Sequence, residues 1–191
     1  MAARDIMPWN SSTGGTTVVR AAPMTASEAF ERGEPVNVVN AGTLTEPPDD
    51  ATQWIITDGE PSGRNNVGIA AEGPGTGNIN YKTGVAYATN DSISYWPSGD
   101  GQLFITENFF AAGAASDVVP VQTDVGEPYQ ITYNTTGTIG WGVEQTAGVE
   151  GVDVVAVVVD VLDSLNRPIR ESGAAGAKVV FEILAPTVGA A

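Results

Sequence analysis

Val152-Asp-Val-Val-Ala-Val-Val-Val-Asp-Val-Leu162, the turn Asp163-Ser-Leu-Asn-Arg-Pro168 and Lys178-Val-Val-Phe-Glu-Ile-Leu184 decide the fold. The first run is the densest β-branched stretch in the chain and reads as a strand of about 36 Å if fully extended. In strict alternation Val152, Val154, Ala156 and Val158 share one face, and Val155, Val157, Val159 and Val161 share the other. Both faces are apolar, so the strand is expected to be covered on both sides. In Lys178–Leu184, Val179, Phe181 and Ile183 form the inner face, and Lys178 and Glu182 the outer one.

Upstream, apolar runs are short and bounded by turn residues, which the 23 glycines and 12 prolines supply. Positions 1–17 read as a polar N-terminal arm in which Trp9 is the one anchor. Thr25-Ala-Ser-Glu28 fits a capping box for one short helix ending at Gly33. Strands are expected at 35–40, 53–57, 66–71 and 102–106, with a short one at 118–121. Tyr129, Ile131 and Tyr133 alternate on one face of a further strand. Ile139-Gly-Trp-Gly-Val143 alternates too, and its glycines leave one face bare for a close backbone approach or a sharp bend. Positions 72–100 read as a loop-rich insertion with weak strands near Val85 to Ala88 and Ile93 to Trp96. With no long helix, the chain is all-β, a single domain over 18–191. A closed or nearly closed barrel is the first expectation and a sandwich the second.

The formal net charge is −15, with eight scattered Lys and Arg residues. No basic stripe is present, so nucleic acid is not an expected partner. The acidic residues read as a solvated surface, with a basic partner surface as the sharper alternative. Without Cys or His, disulfides and thiolate or imidazole chemistry are excluded. No segment has the ~20 apolar residues of a membrane span, and no signal peptide is recognisable. The chain is expected to be made in a cytoplasm.

Candidate chemistry is sparse. Asp49, Asp50, Asp58, Glu60, Asp91, Asp100 and Glu107 could serve a two-carboxylate glycosidase, but turn-forming Asp explains most of them. Asn90-Asp-Ser92 and Asp49-Asp50 lack a calcium motif. Gly73-Pro-Gly-Thr-Gly77 lacks the Lys-Ser/Thr ending of a phosphate loop. No metal or cofactor is expected. Trp54 and Trp141 fit strand cores. Tyr81, Tyr87, Tyr95 and Trp96 in the insertion are the exposed-loop contact candidates, and a carbohydrate-binding or adhesin module using them is the alternative function.

Six stretches together resemble the decoration, or cement, proteins of tailed-bacteriophage heads. They are Ser27-Glu-Ala-Phe-Glu-Arg-Gly-Glu-Pro-Val36, Val67-Gly-Ile-Ala-Ala71 and Gly126-Glu-Pro-Tyr-Gln-Ile131, then Gly140-Trp-Gly-Val143, Val161-Leu-Asp-Ser-Leu-Asn-Arg-Pro-Ile169 and Val180-Phe-Glu-Ile183. The resemblance implies a compact β-barrel or β-tulip-like domain, trimeric, on the capsid exterior of a virion. It implies a structural, non-enzymatic protein that bridges neighbouring subunits of the major capsid protein. Trp9, Val18 and Val19 are then the capsid-contact candidates, and Val155, Val157, Val159 and Val161 the subunit-interface candidates. The chain departs from the smallest members of that family in its 72–100 insertion.

Overall fold

A computed structural model describes residues 6–9, 17–23, 32–38, 44–45, 66–73, 79–80, 85–86, 88, 91–99, 101–112, 117–134, 140–147, 155–170, 173 and 175–184. In chain order the strands are β1 (Met7–Trp9), β2 (Arg20–Pro23), β3 (Pro35–Val38), β4 (Leu44–Thr45), β5 (Asn66–Ala70), β6 (Ile79–Asn80) and β7 (Val85–Ala86). They continue with β8 (Ser92–Pro97), β9 (Leu103–Thr106), β10 (Phe109–Phe110), β11 (Pro128–Asn134), β12 (Gly140–Ala147), β13 (Val155–Leu162) and β14 (Lys178–Leu184). One turn of 3-10 helix, Gln122–Asp124, precedes β11. The all-β reading is borne out. The expected helix at 25–32 and strand at 53–57 lie outside the described residues, save for Arg32.

The strands form a seven-stranded sheet, β1-β9-β14-β13-β11-β12-β10, a five-stranded sheet, β2-β8-β5-β3-β4, and the hairpin β6-β7. Neither sheet closes into a barrel by direct pairing among the described residues. The larger one nevertheless coils back on itself. Its second strand, β9, and its last, β10, are joined only by Glu107 and Asn108. Three peptide steps from Thr106 to Phe109 span at most about 11 Å, so opposite ends of a six-strand run must come together. The chain holds the seam covalently, and β10 runs parallel to β12.

Rolling the sheet gives it an inside. Phe104, Phe109, Ile131, Trp141, Val143, Ala156, Val158, Val161, Val179, Phe181 and Ile183 belong to one buried cluster. Ile69 and Trp96, directly opposed between β5 and β8, join it from the smaller sheet. The two sheets are thus layered on a common core. On the other face of the larger sheet, Leu103, Ile105, Leu162 and Val180 form a second cluster, against which Trp9 packs. β9 and β13 therefore carry buried apolar side chains on both faces, as the sequence of β13 requires.

Strict alternation along β13 is corrected. Val158 pairs with Phe181, but Asp160 pairs with Val180, the residue immediately before Phe181. Val159 is the extra residue of a β-bulge. It is 42% exposed, and the side chains beyond it switch faces. Val161 consequently points into the core with Ala156 and Val158. Backbone bonds brace the bulge from β11's side: Gly126 N donates to Val158 O, and Val158 N donates to Glu127 O.

Both strands expected within the insertion are present. Val85–Ala86 pairs with Ile79–Asn80, and Ser92–Pro97 is the second strand of the smaller sheet, paired with both β2 and β5. The expected strand at 118–121 reduces to one bridge between Phe110 and Asp117 and a bond from Val118 N to Phe109 O.

Candidate functional site

The expected anchor Trp9 is spoken for. β1 adds to the edge of β9 with Met7 opposite Ile105, Pro8 opposite Phe104 and Trp9 opposite Leu103. This register puts Ile6 on the inner side, fully buried, and Trp9 on the outer cluster. The Trp9 carbonyl accepts Gln102 Nε2 at 3.2 Å. Met7–Trp9 of the arm is thus a strand of the domain's own sheet.

Val18 and Val19 differ. They are 49% and 56% exposed and lead directly into β2. β2 is the terminal strand of its sheet, bound to β8 on one side. Among the described residues nothing pairs with its other side. Arg20 and Ala21 are exposed too, and Pro23 ends the strand. An open edge beside two exposed valines is a place where another extended chain can add backbone hydrogen bonds and bury apolar surface together.

The four proposed interface valines do not share a face. Val155 and Val161 are buried within the chain and Val157 is half-buried. Val159 alone is exposed, at the bulge. Tyr95 and Trp96 are corrected likewise: they are 5% and 7% exposed. The Tyr95 ring lies over Gly68, where a Cβ would come within 2.7 Å of it. Trp96 faces the common core, with the Arg32 guanidinium 5.6 Å from its ring centre. Neither can stack on a sugar. Tyr81 and Tyr87 lie outside the described residues.

Two buried carboxylates, Asp124 and Glu144, were not singled out from the sequence. Asp124 accepts from Val121 N at 2.7 Å, Tyr129 Oη at 2.8 Å and Gln145 Nε2 at 2.9 Å. Burial, then the bond to Asp124, pushes the Tyr129 hydroxyl up to about 12. The phenol thus stays a donor, and Asp124 fixes the turn before β11 to β12. Glu144 is opposite Gln130, on the face of β11 and β12 that also holds Thr132 and Asn134, all buried. Burial raises its pKa, against a hydrogen bond from Thr146 that lowers it. A signal for Glu144 existed: strand alternation puts it beside Gly140 and Gly142, on the bare face.

That bare face is occupied. A Cβ at Gly142 would overlap the backbone oxygen, Cβ and Cγ of Asn108. Asn108 O accepts from Val143 N at 2.9 Å, and its Nδ2 donates to Gly140 O and Trp141 O at 2.9 and 3.1 Å. The expected close backbone approach is therefore made by Asn108, at the seam of the rolled sheet.

The two buried carboxylates are held by different partners: Asp124 by Val121, Tyr129 and Gln145, and Glu144 by Thr146. Of the loop carboxylates, Asp91 Oδ2 accepts from Ala88 N and Glu107 lies 3.6 Å from Lys178 Nζ. Asp49, Asp50, Asp58, Glu60 and Asp100 lie outside the described residues. Among the described residues no cluster of acidic side chains could hold a metal ion, and no helix is long and apolar enough to cross a membrane.

No protein-family model, curated protein or solved structure matches the chain.

Proposed function

We propose that the chain is a structural protein, without enzymatic activity, that decorates the outside of a phage-type capsid. In this reading it assembles as a trimer and bridges subunits of the major capsid protein. The observation that carries it is the outer edge of β2, unpaired among the described residues, with Val18 and Val19 exposed beside it. Such an edge suits strand addition to a neighbouring protein. The chain's acidic charge and the resemblance of its punctuation to decoration proteins support the same reading. Trp9 leaves the set of contacts, because its ring is committed to the domain's own outer cluster.

Co-sedimentation with expanded, undecorated capsids tests the proposal. Stoichiometric binding that Val18→Asp and Val19→Asp together abolish supports it. A folded wild-type protein that stays in the supernatant overturns it.

A further inference from the structure

Lys178, Asn166 and Glu107 meet at one end of the outer apolar cluster. Leu162 is opposite Lys178 in the ladder of β13 and β14, and Val179 is opposite Thr106 in that of β14 and β9. One step further along the second ladder sets Lys178 beside Glu107, whose Oε1 lies 3.6 Å from Lys178 Nζ. Lys178 shares a strand face with Val180, so its same-face neighbours Leu162 and Val180 both belong to the outer cluster. Its side chain is only 18% exposed. The stem is covered and the amine sits at the rim of an apolar patch.

Asn166 is delivered by the turn that follows β13. Asp163 Oδ1 accepts the N–H groups of Leu165 and Arg167 at 2.8 and 2.9 Å, and Asn166 N donates to Asp163 O at 2.9 Å. Asp163 Oδ2 also pairs with Arg167 Nη2 at 2.7 Å. Among the described residues Asn166 is the one residue other than glycine with positive φ, +61, the left-handed region that Asn tolerates. The turn carries its carboxamide to β14, where Oδ1 accepts Lys178 Nζ at 2.8 Å. A nucleophilic nitrogen, a carboxamide carbon and a carboxylate are thereby gathered at one point, the first and last by strand register and the second by a braced turn.

We propose that Lys178 and Asn166 join in an isopeptide bond, with Glu107 moving the protons. Glu107 takes a proton from the Lys178 ammonium, and the freed amine bonds to Asn166 Cγ. The bond from Cγ to Nδ2 breaks, and Nδ2 departs as ammonia with a second proton of the amine. Ammonia recovers the proton held by Glu107, so the carboxylate is restored and ammonium is the sole by-product. No oxidant or energy source is consumed. Asn166 is exposed, which gives the by-product a path to water. The chain has no cysteine, and this bond supplies the cross-link that a disulfide cannot: it closes a ring in the chain and narrows the unfolded ensemble. The inference goes beyond capsid decoration and stands whether or not the chain binds capsids.

Mass spectrometry of the purified full chain tests it. A tryptic digest of the wild type is expected to hold the peptide carrying Asn166 joined to the one carrying Lys178, lighter than the two together by one ammonia. Lys178→Arg and Asn166→Ala are each expected to remove that product. Glu107→Gln is expected to slow its formation about 100-fold, with the circular dichroism spectrum unchanged. Separate, unmodified peptides from the wild type after prolonged incubation overturn the inference. A loss of ammonia from the Asn166 peptide that persists in Lys178→Arg also overturns it, because it marks cyclisation of Asn166 on its own backbone. A joined product that Glu107→Gln forms at the wild-type rate overturns the role of Glu107. The wild-type digest decides the bond itself even where a variant fails to fold.

Discussion

Val158 faces Phe181 across the ladder between β13 and β14, and the register slips by one residue immediately after that pair. The slip separates three adjacent valines into different fates. Val158 is buried in the common core, Val157 is half-buried and Val159 stands exposed at the bulge. Val158→Asp places an unpaired carboxylate in an apolar interior and is expected to cost about 3–5 kcal/mol or prevent folding. Val159→Asp is expected to change stability by no more than about 0.5 kcal/mol. Urea unfolding of the two variants measures both, and equal losses would mean that the bulge is misplaced.

That register slip also marks where sequence reading stops. The alternation of Tyr129, Ile131 and Tyr133 is legible because one face is apolar and the other polar. Along β13 both faces are apolar, so a one-residue shift leaves no trace in the pattern. The faces assigned to Val155 and Val161 could not be checked against their neighbours. Tyr95 and Trp96 were hidden for a different reason. They sit among Gly, Ser, Asn and Thr, and the strand they occupy is defined by distant partners, β2 and β5. The seam at Asn108 was half legible: the glycines of β12 announce a close approach, but only the fold says what approaches.

The seam itself makes the second prediction. Gly142→Ala drives a methyl group into the backbone and Cβ of Asn108, neither of which can yield without moving the junction of β9 and β10. A loss of about 1–3 kcal/mol is expected from this overpacking. Asn108→Ala removes two hydrogen bonds to the carbonyls of Gly140 and Trp141 and strands those acceptors at the seam, for about 1–3 kcal/mol. Because both substitutions break one junction, the double variant is expected to cost less than the sum of the two. Additive losses in chemical denaturation would show that Asn108 does not act on Gly142's strand.

Tyr129 supplies a pH signature. Its hydroxyl is pushed from 10.0 up to about 12 by burial and by the bond to Asp124. The raised folded-state pKa means that the native chain holds this proton more tightly than the unfolded chain does. The associated stability is therefore complete below pH 10 and is lost as pH rises through about 12. The slope of unfolding free energy against pH in that window is expected to flatten in Tyr129→Phe, because the group that releases the proton is gone. A wild-type profile indistinguishable from the variant's would remove the bond to Asp124 from the account. The same comparison at neutral pH reads the cost of leaving Asp124 with one donor fewer, about 1–2 kcal/mol.

The last prediction sets the two ends of the N-terminal segment against each other. Ile6 and Trp9 are bound to the domain's own sheet, one inside the core and one on the outer cluster. Their substitution should therefore appear as instability. Ile6→Ala is expected to cost about 2–4 kcal/mol and Trp9→Ala about 2 kcal/mol, while whatever protein remains folded binds its partner with unchanged affinity. Val18 and Val19 lie a few residues further on, at an edge with no described partner. Val18→Asp with Val19→Asp is expected to leave the unfolding midpoint nearly unchanged and to abolish the proposed capsid binding. The charges would be forced against an apolar contact and would repel an incoming strand. The two outcomes cross, so a general loss of folding cannot imitate the pattern. If Trp9→Ala instead weakens capsid binding without lowering stability, the arm works in trans, and the strand seen on β9 is a resting position.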